Sequence, residues 1–366
     1  IIEDFNSIET IPWNKVHPDL NNDWINQRDE SYSSFKSLYD ENDLSSSIFK
    51  KQITGVYPGR DNWIVCFNKE KAQENAEKLI DNYNSEMERL KEVNDRKERL
   101  AERNTNEKFI KWSAKLNDKF SKKQPLEKSG KVVPYLHRPF VRKWLYWDDV
   151  MNERASSYRG IENIMGKVLY MQGAGSKKVF STLFTKTLPS LQLIHNGKGF
   201  PQYIEEDSFG LVSNISDSFV KKYDDLQNDE ILYLLYGLMH SKEYLEKYAN
   251  DLQKDYPKVP RLKNYHDFVE VGRKLADLHL NYEDVPPYSE LKIVMNDNPS
   301  YRVNKMKHPK KGKLDTIIFN SDIMITDIPE QAYEYVVNGK AAIQWLIEEY
   351  KVSKYSNGLT DDPNDF

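Results

Sequence analysis

The residues of this chain with most chemistry to offer are cations interleaved with aromatic rings. From Pro134 to Trp147 the sequence reads PYLHRPFVRKWLYW, setting Arg138, Arg142 and Lys143 among Tyr135, Phe140, Trp144, Tyr146 and Trp147. Cations neutralise phosphates, Arg can read guanine in the major groove, and aromatic faces stack on unpaired bases. The same pattern also fits a half-buried strand with one charged face. Arg154 and Arg159 follow. A second candidate is Gly173-Ala174-Gly175-Ser176-Lys177-Lys178. Backbone N–H groups freed by glycine and followed by two lysines can grip phosphate. The run lacks the Gly-Lys-Ser/Thr ending of a nucleotide P-loop and is not a full dinucleotide fingerprint, so a plain hairpin turn is the simpler account. The turn at Asn196-Gly197-Lys198-Gly199 adds Lys198, and Lys305 to Lys313 forms a basic loop of a kind that is usually solvated.

Other chemistry is sparse. Val285-Pro286-Pro287-Tyr288 is similar to the loop of adenine methyltransferases, but that loop opens with a polar residue to bind the target amino group, which valine cannot do. It reads as a Pro-Pro turn after a helix. The seven histidines form no ligand pair, and His279 lies on an apolar helical face as a core residue. The acidic ending Asp361 to Asp365 lacks the alternating ligands and glycine of a calcium loop, so a solvated or packed tail is expected. No metal site and no catalytic residue is expected.

The elements that must position the cations follow from composition and period. The 366 residues, 39% hydrophobic and 30% charged, suit two or three folded domains. The net charge of −4 hides a pattern. Lys131 to Lys178 carries nine basic against four acidic residues, and Phe200 to Glu230 carries two against eight. A lone cysteine, Cys66, excludes an internal disulfide and a thiolate metal cage, and a reducing cytoplasm fits. No run is apolar enough to cross a bilayer. The chain opens with Ile1, so it is expected to be an excised fragment.

Trp63 to Phe67 reads as a buried strand. Ala76, Ile80, Tyr83, Met87 and Leu90 mark one helical stripe, with charges continuing to Arg103 as a solvated extension. Phe109 to Phe120 suggests a second helix, and Ser121 to Gly130 a linker or mobile loop. Val168 to Met171 and Leu191 to Ile194 look like strands. Residues 229 to 282 are helical, with Asp229, Ser241 and Asn264 as caps. A hairpin is expected over residues 314 to 328, then a helix opened by Pro329 and another near Lys340 to Tyr350.

In order, DWINQRDESY (Asp23 to Tyr32), GRDNWIVCFNKE (Gly59 to Glu70), YLHRPFVRKWLYWDD (Tyr135 to Asp149), GAGSKKVFSTLFT (Gly173 to Thr185), the Tyr233 to Pro260 run, GRKLADLHLNYE (Gly272 to Glu283), the Ile328 to Tyr350 run and a DPNDF ending together resemble one family. It is the C-terminal specificity region of Type ISP restriction–modification enzymes, single polypeptides with nuclease, ATP-driven translocase, adenine methyltransferase and target-recognition parts. Val141 stands where the family pattern around Pro139 carries Asp, and Lys143 and Trp147 also depart from it.

The resemblance implies a non-catalytic, cytoplasmic piece that binds a short asymmetric double-stranded DNA site for phage defence. It would direct upstream methyltransferase and helicase domains of the same polypeptide, which would use S-adenosylmethionine, ATP and Mg2+; this chain needs no cofactor. The expected fold is α+β. It comprises an N-terminal part with a long charged helix (1–130), a mixed β target-recognition core (131–228) and a helical C-terminal part with a β-hairpin (229–366). The DNA-contact set is Arg138, Arg142, Lys143, Tyr146, Arg154, Arg159, Lys177, Lys178 and Lys198. Base readers are not assigned beyond two places, the loop between Tyr158 and Met171 and the Asn196 to Gly199 turn. Two rival classes are a structural coupling module that touches DNA little, and a stand-alone methyltransferase built on the Val285 loop.

Overall fold

The computed structural model describes residues 11–154, 166–206 and 210–365. The fold is α+β. The longest helix, Lys69–Arg89, starts where the Asn68 side chain accepts the Lys71 N–H at 2.8 Å. Ala72, Ala76, Leu79, Ile80 and Tyr83 recur at three- and four-residue spacing and are buried. The charged extension to Arg103 is not continuous. Asp95 caps a separate helix, Arg96–Glu102, and Arg99 turns inward to donate to the carbonyls of Val93 and Ser121.

Against this helix lies a four-stranded sheet in the order Val65–Cys66, Val141–Trp147, Lys131–Arg138, Leu188–Pro189. The Lys131–Arg138 and Val141–Trp147 strands pair antiparallel through a turn at Phe140, whose φ is 59°. Tyr135 and Leu136 pair in parallel with Leu188 and Pro189, which makes the sheet mixed. Only its Val65–Cys66 part matches the strand expected over Trp63 to Phe67. Asp61–Ile64 is a helical turn that buries Trp63. The sheet joins residues on both sides of position 130. The expected loop over residues 121–130 is tied down. Tyr83 donates to the Gln124 carbonyl (2.9 Å), and Asn84 exchanges two bonds with Leu126 (2.9 and 3.0 Å).

A second sheet runs Thr182–Thr185, Val168–Met171, Lys198–Pro201, all antiparallel. The extended segment 53–56 links the two sheets, with Ile53 bridging Gly199 and Val56 bridging Ser190. The expected strand at Leu191 to Ile194 forms turns instead, while Leu193 and Ile194 are buried. The second sheet packs on the Asn228–Leu238 and Tyr265–Leu280 helices, and Phe184 meets the Tyr236 ring at 4.7 Å. These helices cross at two glycines. A Cβ on Gly272 would fall 1.9 Å from the Tyr233 carbonyl oxygen, and one on Gly237 would fall 2.3 Å from that of Phe268. Burying each large apolar side chain of this interface stabilises by roughly 1.5–3 kcal/mol.

Ser241 caps Lys242–Lys247 as expected, and His279 is buried, its Nδ1 hydrogen-bonded with the Tyr236 hydroxyl at 2.5 Å. A third sheet, Lys292–Met295, Ile323–Thr326, Ile317–Ile318, contains the expected hairpin. A turn of 3-10 helix at Glu330–Tyr333 follows Pro329, and the Ala342–Glu349 helix comes next. The tail packs, because Asp361 accepts the Phe67 N–H at 2.8 Å. Among the described residues no helix is long and apolar enough to cross a membrane.

Candidate nucleic-acid interface

Three turns meet at one place on the surface. The first joins the Val168–Met171 and Thr182–Thr185 strands. Its Gly175, at φ 78°, donates to the Gln253 carbonyl at 2.9 Å. Gln172 donates to the Lys178 carbonyl (3.1 Å), and the Ser176 hydroxyl oxygen accepts the Lys178 N–H (3.2 Å). The second turn closes with Gly197 donating to Ile194 at 2.9 Å, with Asn196 at φ 52°. It abuts the first so closely that a Cβ on Gly173 would lie 2.3 Å from the Asn196 carbonyl oxygen. The third turn is Asn338-Gly339, which links the short strands Val336–Val337 and Lys340–Ala341.

Asn338 is the pin. Its side-chain oxygen accepts the His195 N–H (3.1 Å) and the Lys178 ammonium (3.1 Å), and its own N–H donates to Ser181 (3.0 Å). Lys177 is exposed beside it, and Lys198 is half-exposed at the start of its strand. Lys198 and Gly199 therefore belong to a strand, and the expected turn is confined to residues 194–197. Among the described residues Lys177, Lys178 and Lys198 have no carboxylate within 4.0 Å in an ion pair. In the sequence Asn338-Gly339 shows only as a break between the helix expected after Pro329 and the one near Lys340 to Tyr350. The Asn-Gly dipeptide was its visible signal, but its two partner turns lie more than a hundred residues away.

The aromatic-cation segment behaves differently. Arg138 is partly exposed, donating to the His137 carbonyl (2.9 Å) and Gln192 (3.1 Å). Arg142 is 2.6 Å from the Glu283 carboxylate and 2.6 Å from the Leu280 carbonyl, and lies over the Tyr282 ring at 4.8 Å. It fastens the hairpin to the end of the Tyr265–Leu280 helix.

Two assignments are corrected. The Lys143 side chain is 8% exposed, and its ammonium is 2.8 Å from Asp361 and over the Phe67 ring, out of reach of a phosphate. Tyr146 is fully buried, and its hydroxyl oxygen accepts the Gly130 N–H at 2.9 Å, so its face is closed to a base. Strand alternation carried that warning, since Lys143 shares a face with Val141 and Leu145. Arg154 is exposed, with its backbone paired to Tyr57. Arg159 and Tyr158 lie outside the described residues.

The Val285 to Tyr288 segment is exposed and irregular, following the turn at residues 282–284 that ends the Tyr265–Leu280 helix. Among the described residues no group of three His, Cys, Asp or Glu is placed to hold a metal ion. The residues brought together are thus Lys177, Lys178 and Lys198, carried on turns pinned by Asn338 and, among the described residues, free of acidic partners. Such an arrangement suits a polyanion, whose phosphates it can meet without first breaking ion pairs.

The fold is an α+β body that presents lysines on turns, and its family follows from the comparisons. The chain belongs to the Type ISP C-terminal specificity domain family, whose model matches residues 47–366. Over its whole length the chain is similar, at 38% identity and a TM-score of 0.85, to a nuclease-deletion mutant of the Type ISP restriction-modification enzyme LlaGI in complex with a DNA substrate mimic. Over 96% of its length it is similar, at 32% identity and a TM-score of 0.84, to the ATP-dependent Type ISP enzyme LlaBIII bound to DNA. A DrdV–DNA complex shares the fold, with a TM-score of 0.78 at 24% identity over 97% of the chain. The chain spans 34% of the LlaGI chain and 23% of the LlaBIII chain. No curated protein matches the sequence.

Proposed function

We propose that this chain recognises a short double-stranded DNA site, acting as the non-catalytic specificity part of a restriction–modification enzyme in the cytoplasm. The observation that carries the reading is the convergence of three pinned turns on Lys177, Lys178 and Lys198, whose ammonium groups have no carboxylate partner among the described residues. Family membership and likeness to two enzymes solved with DNA support it. In this reading the lysines hold phosphates and set the register, with Arg138 and Arg154 as flanking contacts. The adjoining turn, which includes Asn196 and Gly197, is one of the two places proposed for base reading. The methyltransferase and translocase chemistry, with S-adenosylmethionine, ATP and Mg2+, belongs to other parts of the polypeptide. The test is duplex binding followed by fluorescence anisotropy between about 50 and about 200 mM salt. Affinity falling steeply with salt supports the reading. Affinity that is absent at low salt refutes it.

A coupling role is favoured by one further observation. The segment 19–28 is fixed in shape, with Asp19 accepting the Arg28 N–H at 2.8 Å and Lys254 pairing with Asp23 at 2.8 Å. It nevertheless presents Leu20, Trp24 and Ile25 at 80%, 61% and 79% exposure. An ordered segment showing large apolar side chains marks an interface. In the longer polypeptide its partner would be the neighbouring methyltransferase part.

A further inference from the structure

We propose a phosphate-binding cleft apart from the three turns, between the strand pair Lys36–Ser37/Lys258–Val259 and the turn Lys221–Tyr223. The antiparallel register sets Lys36 opposite Val259 and Ser37 opposite Lys258. Arg261 follows two residues on, and Lys222 enters from the facing turn. The cavity between them holds about 530 Å³ and has four serines on its walls. It shares no lining residue with the three turns.

The charge balance singles the cleft out. Lys258 is satisfied by Asp255 at 3.0 Å. Lys36 donates only to the Ser45 carbonyl, at 3.4 Å. Lys222 rests against the rings of Phe219 (6.0 Å) and Tyr223 (5.6 Å). Among the described residues neither Lys36, Lys222 nor Arg261 forms an ion pair with a carboxylate, and Asp40 is the one acidic residue on the wall. Partial desolvation at the cleft wall, then the charges of Arg261 and Lys36, hold the Lys222 ammonium below its ordinary range although the residue stays largely open to solvent. Three cations therefore face one concavity and repel one another. An anionic phosphate relieves that repulsion, and lysines bind phosphate as point charges. The cavity exceeds one phosphate, so a phosphate ester fits. Its source is either the backbone of bound DNA or a free phosphorylated molecule.

Inorganic pyrophosphate is the probe, titrated at low salt into the full chain by calorimetry. Saturable binding is expected. It should weaken about tenfold or more in Lys222→Gln/Arg261→Gln and persist in Lys177→Gln/Lys198→Gln. Both residues of the first pair are exposed, and an unchanged melting temperature certifies the fold. No binding to the parent chain, or equal binding to the Lys222→Gln/Arg261→Gln chain, overturns the proposal. Displacement of pyrophosphate by a short duplex assigns the cleft to the DNA backbone, and its retention assigns the cleft to a free phosphorylated molecule. Because pyrophosphate reads the cleft directly, its result is independent of whether the chain binds a specific site.

Discussion

The Lys143 ammonium lies 2.8 Å from the Asp361 carboxylate, with both side chains almost fully buried and the two positions 218 apart in sequence. Asp361 also accepts the Phe67 N–H. One buried charge pair thus ties a central strand, the edge strand beside it and the end of the chain. A cation that looks like a phosphate contact in sequence is an internal bolt.

Lys143→Met leaves the Asp361 charge without its cation in an apolar setting. Breaking one partner of a buried pair costs about 3–5 kcal/mol, whereas replacing both is often tolerated. Urea unfolding should show a loss of that order for Lys143→Met, with part of it recovered in Lys143→Met/Asp361→Asn. Equal stability of parent and single variant would mean that the pair carries no weight.

The lysines proposed to meet DNA should act oppositely. Lys177→Gln/Lys198→Gln is expected to leave stability within about 0.5 kcal/mol, because these side chains lie on the surface. It should weaken duplex binding for all sequences and reduce the salt slope by about two. Arg142→Ala, which loses Glu283, the Leu280 carbonyl and the Tyr282 ring, should cost about 1–2 kcal/mol of stability and leave the slope unchanged. A flattened slope for Arg142→Ala would return that residue to the interface.

The helix crossing is specified by its glycines. Gly272→Ala places a methyl group 1.9 Å from the Tyr233 carbonyl oxygen, which only separation of the two helices relieves. Overpacking of this kind costs about 1–3 kcal/mol or more. Thermal unfolding of Gly272→Ala should fall clearly below that of Val271→Ala, a change at an exposed neighbour on the same helix.

Stability should also decline in mild acid. Burial pushes His279 down to about 3 and His240 down to about 4. Both are held neutral, and His240 bridges the Tyr236 carbonyl (2.9 Å) and the Tyr335 hydroxyl (3.1 Å). In the unfolded chain they take up protons below about pH 6.5. The folded state is therefore fully favoured above that pH and loses ground as pH falls towards 4, by at most about 2 kcal/mol per residue at about pH 5. Urea midpoints at about pH 7.5 and about pH 5 should differ accordingly, and His279→Gln should lessen the difference. Identical midpoints would show that these rings take up protons in place.

What the sequence made legible was local. The Ser241 cap, the Tyr265–Leu280 helix, the hairpin at Ile317 to Thr326 and the burial of His279 all follow from signals within a few residues. The breaks in that reading are long-range. Trp63 looks like strand until the Asp61 turn and the Lys69–Arg89 helix claim it. Leu191 to Ile194 has strand composition but serves turns pinned by Asn338. Lys143, Arg142 and Tyr146 have the same residue types as a DNA-binding stripe. The partners Asp361 and Gly130 decide otherwise for Lys143 and Tyr146, Glu283 ties Arg142 to the neighbouring helix end, and no local pattern announces these partners. Lys177, Lys178 and Lys198 were legible as types and turns, but not as one surface.

The central claim is that this chain reads a DNA sequence, and selection from a random duplex library with the purified chain at moderate salt tests it most directly. The account predicts enrichment of one short asymmetric motif, with retention lost as salt rises. A chain that retains no duplex even at low salt would contradict it.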